Sequence, residues 1–169
     1  MSYPQDYLAA LEVLLDLERG YSDHPQDTGG ETLFGIARNY WPQYWADGPP
    51  TRETAERFYW AEFWTPMRLE AFLDQRVRLE LLESGVNCGL RNGIKFVQRA
   101  YNMLRDSSWQ DLAVDGQNGP KTIRAVNRLS RSYADALLAG CNYQQAHYYA
   151  TRANNRAFVR GWFARRLRW

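Results

Sequence analysis

Apolar positions near the start of the chain fall on one side of a helix. Tyr7, Leu8, Leu11, Leu14 and Leu15 recur at three- and four-residue intervals, the spacing that lines up one buried face. The pattern predicts a helix from about Gln5 to Glu18, stopped at Gly20, where a helix end takes a left-handed residue. A polar segment follows to Leu33. Phe34 to Tyr40 read as a short helix, closed by the loop WPQYWADGPP. Thr51 is an N-cap for a helix reaching about Trp64, with Ala55, Phe58, Tyr59 and Phe63 on one side and Pro66 ending it. Leu73, Val77, Leu81 and Val86 carry the next helix towards Cys88. Gly89 to Gly93 interrupt, and Ile94, Val97, Ala100, Tyr101 and Leu104 form a further stripe. RDSSWQDLAVDGQNG is a loop with turn chemistry at Asp115-Gly116 and Asn118-Gly119. Pro120 then opens a helix at the position where its missing N–H costs nothing, with Ile123, Val126 and Leu129 as its stripe. Ser132 starts another helix, Gly140 to Asn142 break it, and a last one spans Tyr143 to Leu167. Alternating strand patterns are nearly absent apart from a small hairpin around Gly29-Gly30. The class expected is mainly α.

Composition adds three points. At 169 residues the chain has room for one proper core, as one domain or two small lobes. Aromatic content is 15%, with seven Trp and eleven Tyr, so some rings are expected at the surface, where they suit sugar stacking. Cys88 and Cys141 each fall in a helical stretch among apolar neighbours and read as buried thiols in a reducing compartment rather than a disulfide framework. The opening MSYPQDYLAALEVL lacks a basic region followed by an apolar run, and no later segment reaches the length of a membrane span. Synthesis in the cytoplasm without a signal peptide is the expectation.

The net charge of +2 hides an asymmetry. Through Leu90 there are 7 basic and 15 acidic residues, a net of −8; from Arg91 onward 14 basic residues meet only Asp106, Asp111, Asp115 and Asp135, a net of +10. A basic half of this kind suits nucleic acid or an anionic envelope surface. Against nucleic acid, no recognition motif is present and the arginines scatter over several helices. Between Arg152 and Trp169 there are six arginines and no acid, and Arg152, Arg156 and Arg160 make one stripe, an amphipathic basic pattern that suits anionic membrane or lipopolysaccharide. His24 and His147 stand alone, so neither metal nor cofactor is expected.

The residue with chemistry is Glu18. It sits in the last turn of a helix whose other face is buried, next to partial negative charge from the helix carbonyls. A general acid for a reaction near neutrality is a carboxyl in a position of this kind. Glycoside hydrolysis requires such an acid and usually a second carboxylate to activate water or steady the developing cation. Asp27 lies nine residues on and Thr32 five further; Asp23 and Glu31 are rival second carboxylates. The alternative for the aspartates is turn-forming chemistry beside Pro25 and Gly29. This Glu, Asp, Thr order is similar to the active-site layout of phage-type lysozymes, in which the Asp and Thr hold the attacking water.

ERGYSDHPQDTGGETLFGI, residues 18–36, resembles the signature of glycoside hydrolase family 108, the peptidoglycan-cleaving muramidases. Glu18, Gly20, Tyr21, Asp23, Asp27, Gly29, Gly30, Thr32, Gly35 and Ile36 match that signature. Pro25 is displaced by one residue through His24, and Arg19 replaces the first Gly of the family's pair. VNCGLRNGIKFVQRAYNML, LAVDGQNGPKTIRAVN and the closing FVRGWFARR resemble the family's C-terminal peptidoglycan-binding part. The resemblance implies a lysozyme-like fold with at most a small hairpin near the site. It also implies a catalytic part over residues 1–84, and a helical lobe over 85–169 closing the other wall of a cleft.

The activity implied is cleavage of the β-1,4 bond between N-acetylmuramic acid and N-acetylglucosamine, with Glu18 as general acid. Asp27 and Thr32 would be the water-holding groups, and Tyr21, Asp23, Phe34 and Asn87 would contact substrate. Tyr40 and Trp41 are further candidates for sugar subsites. The partner is the glycan strand of peptidoglycan, met by a monomer after holin-type or other release, as an endolysin would. Three other readings stay open: a lytic transglycosylase, which also works from one Glu, a non-catalytic wall-binding module, and a nucleic-acid binder resting on the basic half.

Overall fold

The computed structural model describes residues 3–18, 20–23 and 28–151, and the chain divides into two compact units, Met1–Pro66 and Met67–Trp169. The division expected after residue 84 falls inside a helix of the second unit. The fold is mainly α.

In the first unit, α1 spans Gln5–Leu17 and buries Tyr7, Ala10, Leu11 and Leu14, the face given by the apolar spacing. Glu18 caps it, its N–H bonded to the Leu14 carbonyl at 3.0 Å. After Ser22 bridges to Thr32, the strands β1 (Thr32–Leu33) and β2 (Ile36–Ala37) pair antiparallel, with Leu33 opposite Ile36. Phe34 and Gly35 form the two-residue connection, both at positive φ (52° and 75°), the signature of a type I′ turn. Past β2 the pairing carries on: the Arg38 N–H donates to the Glu31 carbonyl and the Asn39 N–H to that of Gly29.

Phe34 to Tyr40 are therefore not the short helix expected. Their backbone groups are satisfied across the hairpin, and two left-handed residues in succession are incompatible with a helical turn. Gly30 sits where a Cβ would run into the Asn39 amide, which fixes the close approach of the two arms.

α2 (Arg52–Tyr59) starts at Thr51, whose hydroxyl accepts from the Thr54 N–H. It continues to Trp64 as expected, but its last turn widens to a π-turn closed by Thr65 N–H to the Trp60 carbonyl, 3.0 Å. Tyr7, Trp45, Phe58, Tyr59 and Trp64 are buried in the core of this unit. Tyr7 meets Trp60 and Trp64 edge-on at 5.0 and 5.1 Å, and Trp41 meets Phe58 at 5.1 Å. Tyr21 and Tyr40 are the exposed rings near the polar segment.

In the second unit, α3 (Gln75–Cys88) is capped by Asp74, α4 is Leu90–Leu104 and α5 is Pro120–Ala150, with Pro120 at its first turn. Only Gly89 interrupts between α3 and α4, at φ +90°; Gly93 is helical and lets α4 pack onto α3 at Ser84 and Gly85. Of the two breaks expected within α5, one is present as a kink and the other is absent. The α5 backbone departs from helical values at Tyr133 (φ −134°, ψ 36°), a kink next to the Ser132 start that the sequence suggested. Gly140 stays in the helix because it faces α4, where a Cβ would lie 3.0 Å from that of Ala100.

Cys88 and Cys141 are both buried free thiols. Burial, helped by the charge of Glu80, pushes the Cys141 thiol well up. No described helix is long and apolar enough to cross a membrane. The arginine-rich run from Arg152 to Trp169 lies outside the described residues.

Candidate active site

The end of α1 and the tip of the hairpin come together. Gly35 faces the Glu18 side chain: a Cβ on Gly35 would lie 3.1 Å from Glu18 Cγ and 3.2 Å from Cδ, and would overlap the Tyr59 hydroxyl. Tyr59, buried in the last turn of α2, donates to the Phe34 carbonyl at 2.9 Å. Three separated stretches thus converge on one carboxyl. Helix α1 delivers Glu18 at its carbonyl end, the turn closes over one side, and Tyr59 fixes the turn.

Phe34 is held left-handed, which costs a side-chain-bearing residue about 1–3 kcal/mol, and such conformations persist where the surroundings enforce them. Here the enforcing group is the Tyr59 hydroxyl, while Gly35 supplies the room. Glu18 remains partly exposed.

A second connection closes the frame. Ser22 and Thr32 exchange both backbone hydrogen bonds, at 2.9 and 2.8 Å, so the segment leaving Glu18 returns alongside β1. Thr32 is half-buried, its hydroxyl donating to the Gly30 carbonyl at 3.1 Å. Tyr21 is 61% exposed. Its hydroxyl is pushed up by lost hydration and then by the nearby charges of Glu31 and Asp23. Glu31 also accepts from Arg38 at 2.8 Å. A carboxylate held by a guanidinium and a phenol is a strut of the hairpin, and Arg38 itself lies over Trp45 at 5.6 Å.

The sequence-predicted residues divide accordingly. Glu18, Phe34 and, along the same hairpin, Thr32 belong to the frame just described; the exposed Tyr21 and Asp23 and the half-buried Glu31 form a cluster beside it. Asp27 lies outside the described residues, as does Arg19. Asn87 is in the second unit, in the last turn of α3, where its amide donates to the hydroxyl of the buried Tyr149. Tyr59 was missed as a site residue. In the sequence it is one apolar position among several on α2, and nothing in the stripe marks the ring whose hydroxyl turns outward. Tyr40 holds the other arm of the polar segment, its hydroxyl 2.7 Å from that of Thr28.

A small hairpin in a mainly α fold is a lysozyme-like architecture. Residues 11–89 match the model of glycosyl hydrolase 108, and residues 92–167 match that of the predicted peptidoglycan domain. The two matches make the chain a glycosidase acting on peptidoglycan, with a glycosyl hydrolase 108 part followed by a peptidoglycan domain. Ten chains among solved structures match it. One, titled "Structure of Brucella abortus SagA", is 22% identical with a TM-score of 0.76, the match covering 94% of this chain and 88% of that one. No curated protein matches.

Proposed function

We propose that the chain is a muramidase that hydrolyses the β-1,4 bond between N-acetylmuramic acid and N-acetylglucosamine, with Glu18 protonating the leaving oxygen. The observation that carries the proposal is the packing of Gly35 against the Glu18 carboxyl. The acid of the sequence signature and its distant Gly-Ile end thereby form one constellation.

In this mechanism Glu18 donates its proton as the bond to the anomeric carbon breaks, and a water completes the substitution. Asp27 and Thr32 are the groups assigned to hold that water, Thr32 from β1. Tyr21, Asp23 and Phe34 border the sugar path. An endolysin-like role follows, with access to the wall through a holin-type or other release route. Mass analysis of digested peptidoglycan tests the bond: muropeptides ending in reducing N-acetylmuramic acid support it. Anhydro ends point to a transglycosylase, and reducing N-acetylglucosamine to a glucosaminidase.

A further inference from the structure

The second unit carries a cleft with one basic wall that this mechanism does not use. The loop between α4 and α5 runs along the first turns of α5, and two hollows of about 590 and 640 Å³ lie between them, sharing Gln110, Asp111, Leu112, Lys121 and Arg124. Lys121, Arg124 and Arg128, spaced three and four apart, lie on one face of α5 and are exposed. Cations in the first turns of a helix oppose its dipole, so folding alone does not favour them there.

The acids nearby are already engaged. Asp111 pairs with Arg105, Asp115 accepts from the Gln98 amide and the Gln117 N–H, and Asp106 accepts from the Ser108 N–H and hydroxyl. Hydrogen bonds from Ser108, with Arg128 adding its charge, hold the Asp106 carboxyl below the usual range. Among the described residues no acid forms an ion pair with Lys121, Arg124 or Arg128.

Arg128 lies 3.8 Å over the Trp109 ring, which itself stacks on Tyr101 at 17°. Stacking orients a planar guanidinium and leaves its in-plane N–H fork for a carboxylate. It also means that Trp109 is not a bare platform for a sugar.

We propose that this cleft binds the free carboxylates of peptidoglycan stem peptides. The N-acetylated glycan backbone is neutral, with the lactyl group of muramic acid tied up in the amide to the peptide, so the stem peptide supplies the negative charge. The inference rests on peptidoglycan being the substrate, and names the part of it that the second unit grips.

The test uses the full chain carrying Glu18→Gln, so that the target is not digested. Its binding is measured on intact sacculi and on sacculi whose free carboxylates have been capped as methylamides with a carbodiimide and methylamine. The parent should bind intact sacculi at least tenfold more tightly than capped sacculi. Adding Arg124→Gln with Arg128→Gln, or Lys121→Gln with Arg124→Gln (a pair that leaves the Trp109 stack untouched), should remove that advantage. A soluble stem tetrapeptide should shift the Trp109 indole NMR signal. Equal parental affinity for both substrates, unchanged affinity in both double variants, or a still indole signal overturns the proposal. Reducing-end release from sacculi by the unmodified enzyme is scored separately. Release without the binding differences sinks the cleft alone, whereas no release at all sinks the hydrolase mechanism.

Discussion

Gly35 lies so close to Glu18 that a Cβ on the glycine would be 3.1 Å from Glu18 Cγ. The two residues are seventeen apart in sequence, at a helix end and a hairpin tip, and each constrains the other. The turn requires φ +75° at Gly35, and the carboxyl requires that nothing project from it.

Gly35→Ala should therefore damage both fold and chemistry. A left-handed alanine costs about 1–2 kcal/mol, and the overlap with the Tyr59 hydroxyl forces the turn to shift. A displacement near 1 Å at a reacting group lowers turnover on the order of 10²-fold. Thermal unfolding and the rate of reducing-end release should fall together, and a variant with normal turnover would show that the turn does not position the acid.

Tyr59→Phe removes only the hydroxyl that holds Phe34 left-handed. One net hydrogen bond is worth about 1 kcal/mol, so a modest loss in melting temperature is expected. With the turn relaxed, kcat should fall about tenfold, equivalent to about 1.4 kcal/mol in the barrier. Loss of stability with unchanged kcat and KM would reduce Tyr59 to a packing residue.

How much of this was legible beforehand depends on which force decides each element. The buried face of α1, the Thr51 cap and the Pro120 start follow from local periodicity and capping, so the spacing alone places Glu18 at a helix end. The hairpin tip is decided by contacts far along the chain. Phe34 has no preference for left-handed backbone, and the pairing of β1 with β2, the Tyr59 hydroxyl and the space at Gly35 put it there. Gly140 misled for a related reason: a glycine in a helix reads as a break until the neighbouring helix it accommodates is known. Tyr59 and the cleft were hidden because stripes and charge counts give faces, not the groups that face one another.

For the second catalytic group, Asp27→Asn should lower turnover by roughly 10²–10⁴-fold, the span of a lost acid–base contribution, with little change in melting temperature. Glu31→Gln should mainly loosen the hairpin through its lost pairing with Arg38, since partly exposed ion pairs contribute about 0–1 kcal/mol. If Asp23→Asn or Glu31→Gln abolishes turnover while Asp27→Asn does not, the assignment of Asp27 is wrong.

Acid should weaken the loop before α5. The Gln117 N–H and the Gln98 amide hold the Asp115 carboxyl below the usual range. Its contribution is present above the unfolded-state value and is lost as pH falls through the lower folded one. Urea midpoints for the parent and Asp115→Asn should differ at pH 7, and the difference should shrink in strong acid. A difference that grows on acidification reverses the sign of this linkage.

The central claim is that Glu18 is the acid. Glu18→Gln keeps the side chain's shape against Gly35 but has no proton to give, so its melting temperature should stay within a few degrees of the parent. Reducing-end release from purified peptidoglycan should drop at least 10³-fold, on the order expected for loss of the catalytic acid. A folded Glu18→Gln enzyme that still cleaves peptidoglycan at the parental rate would contradict the account.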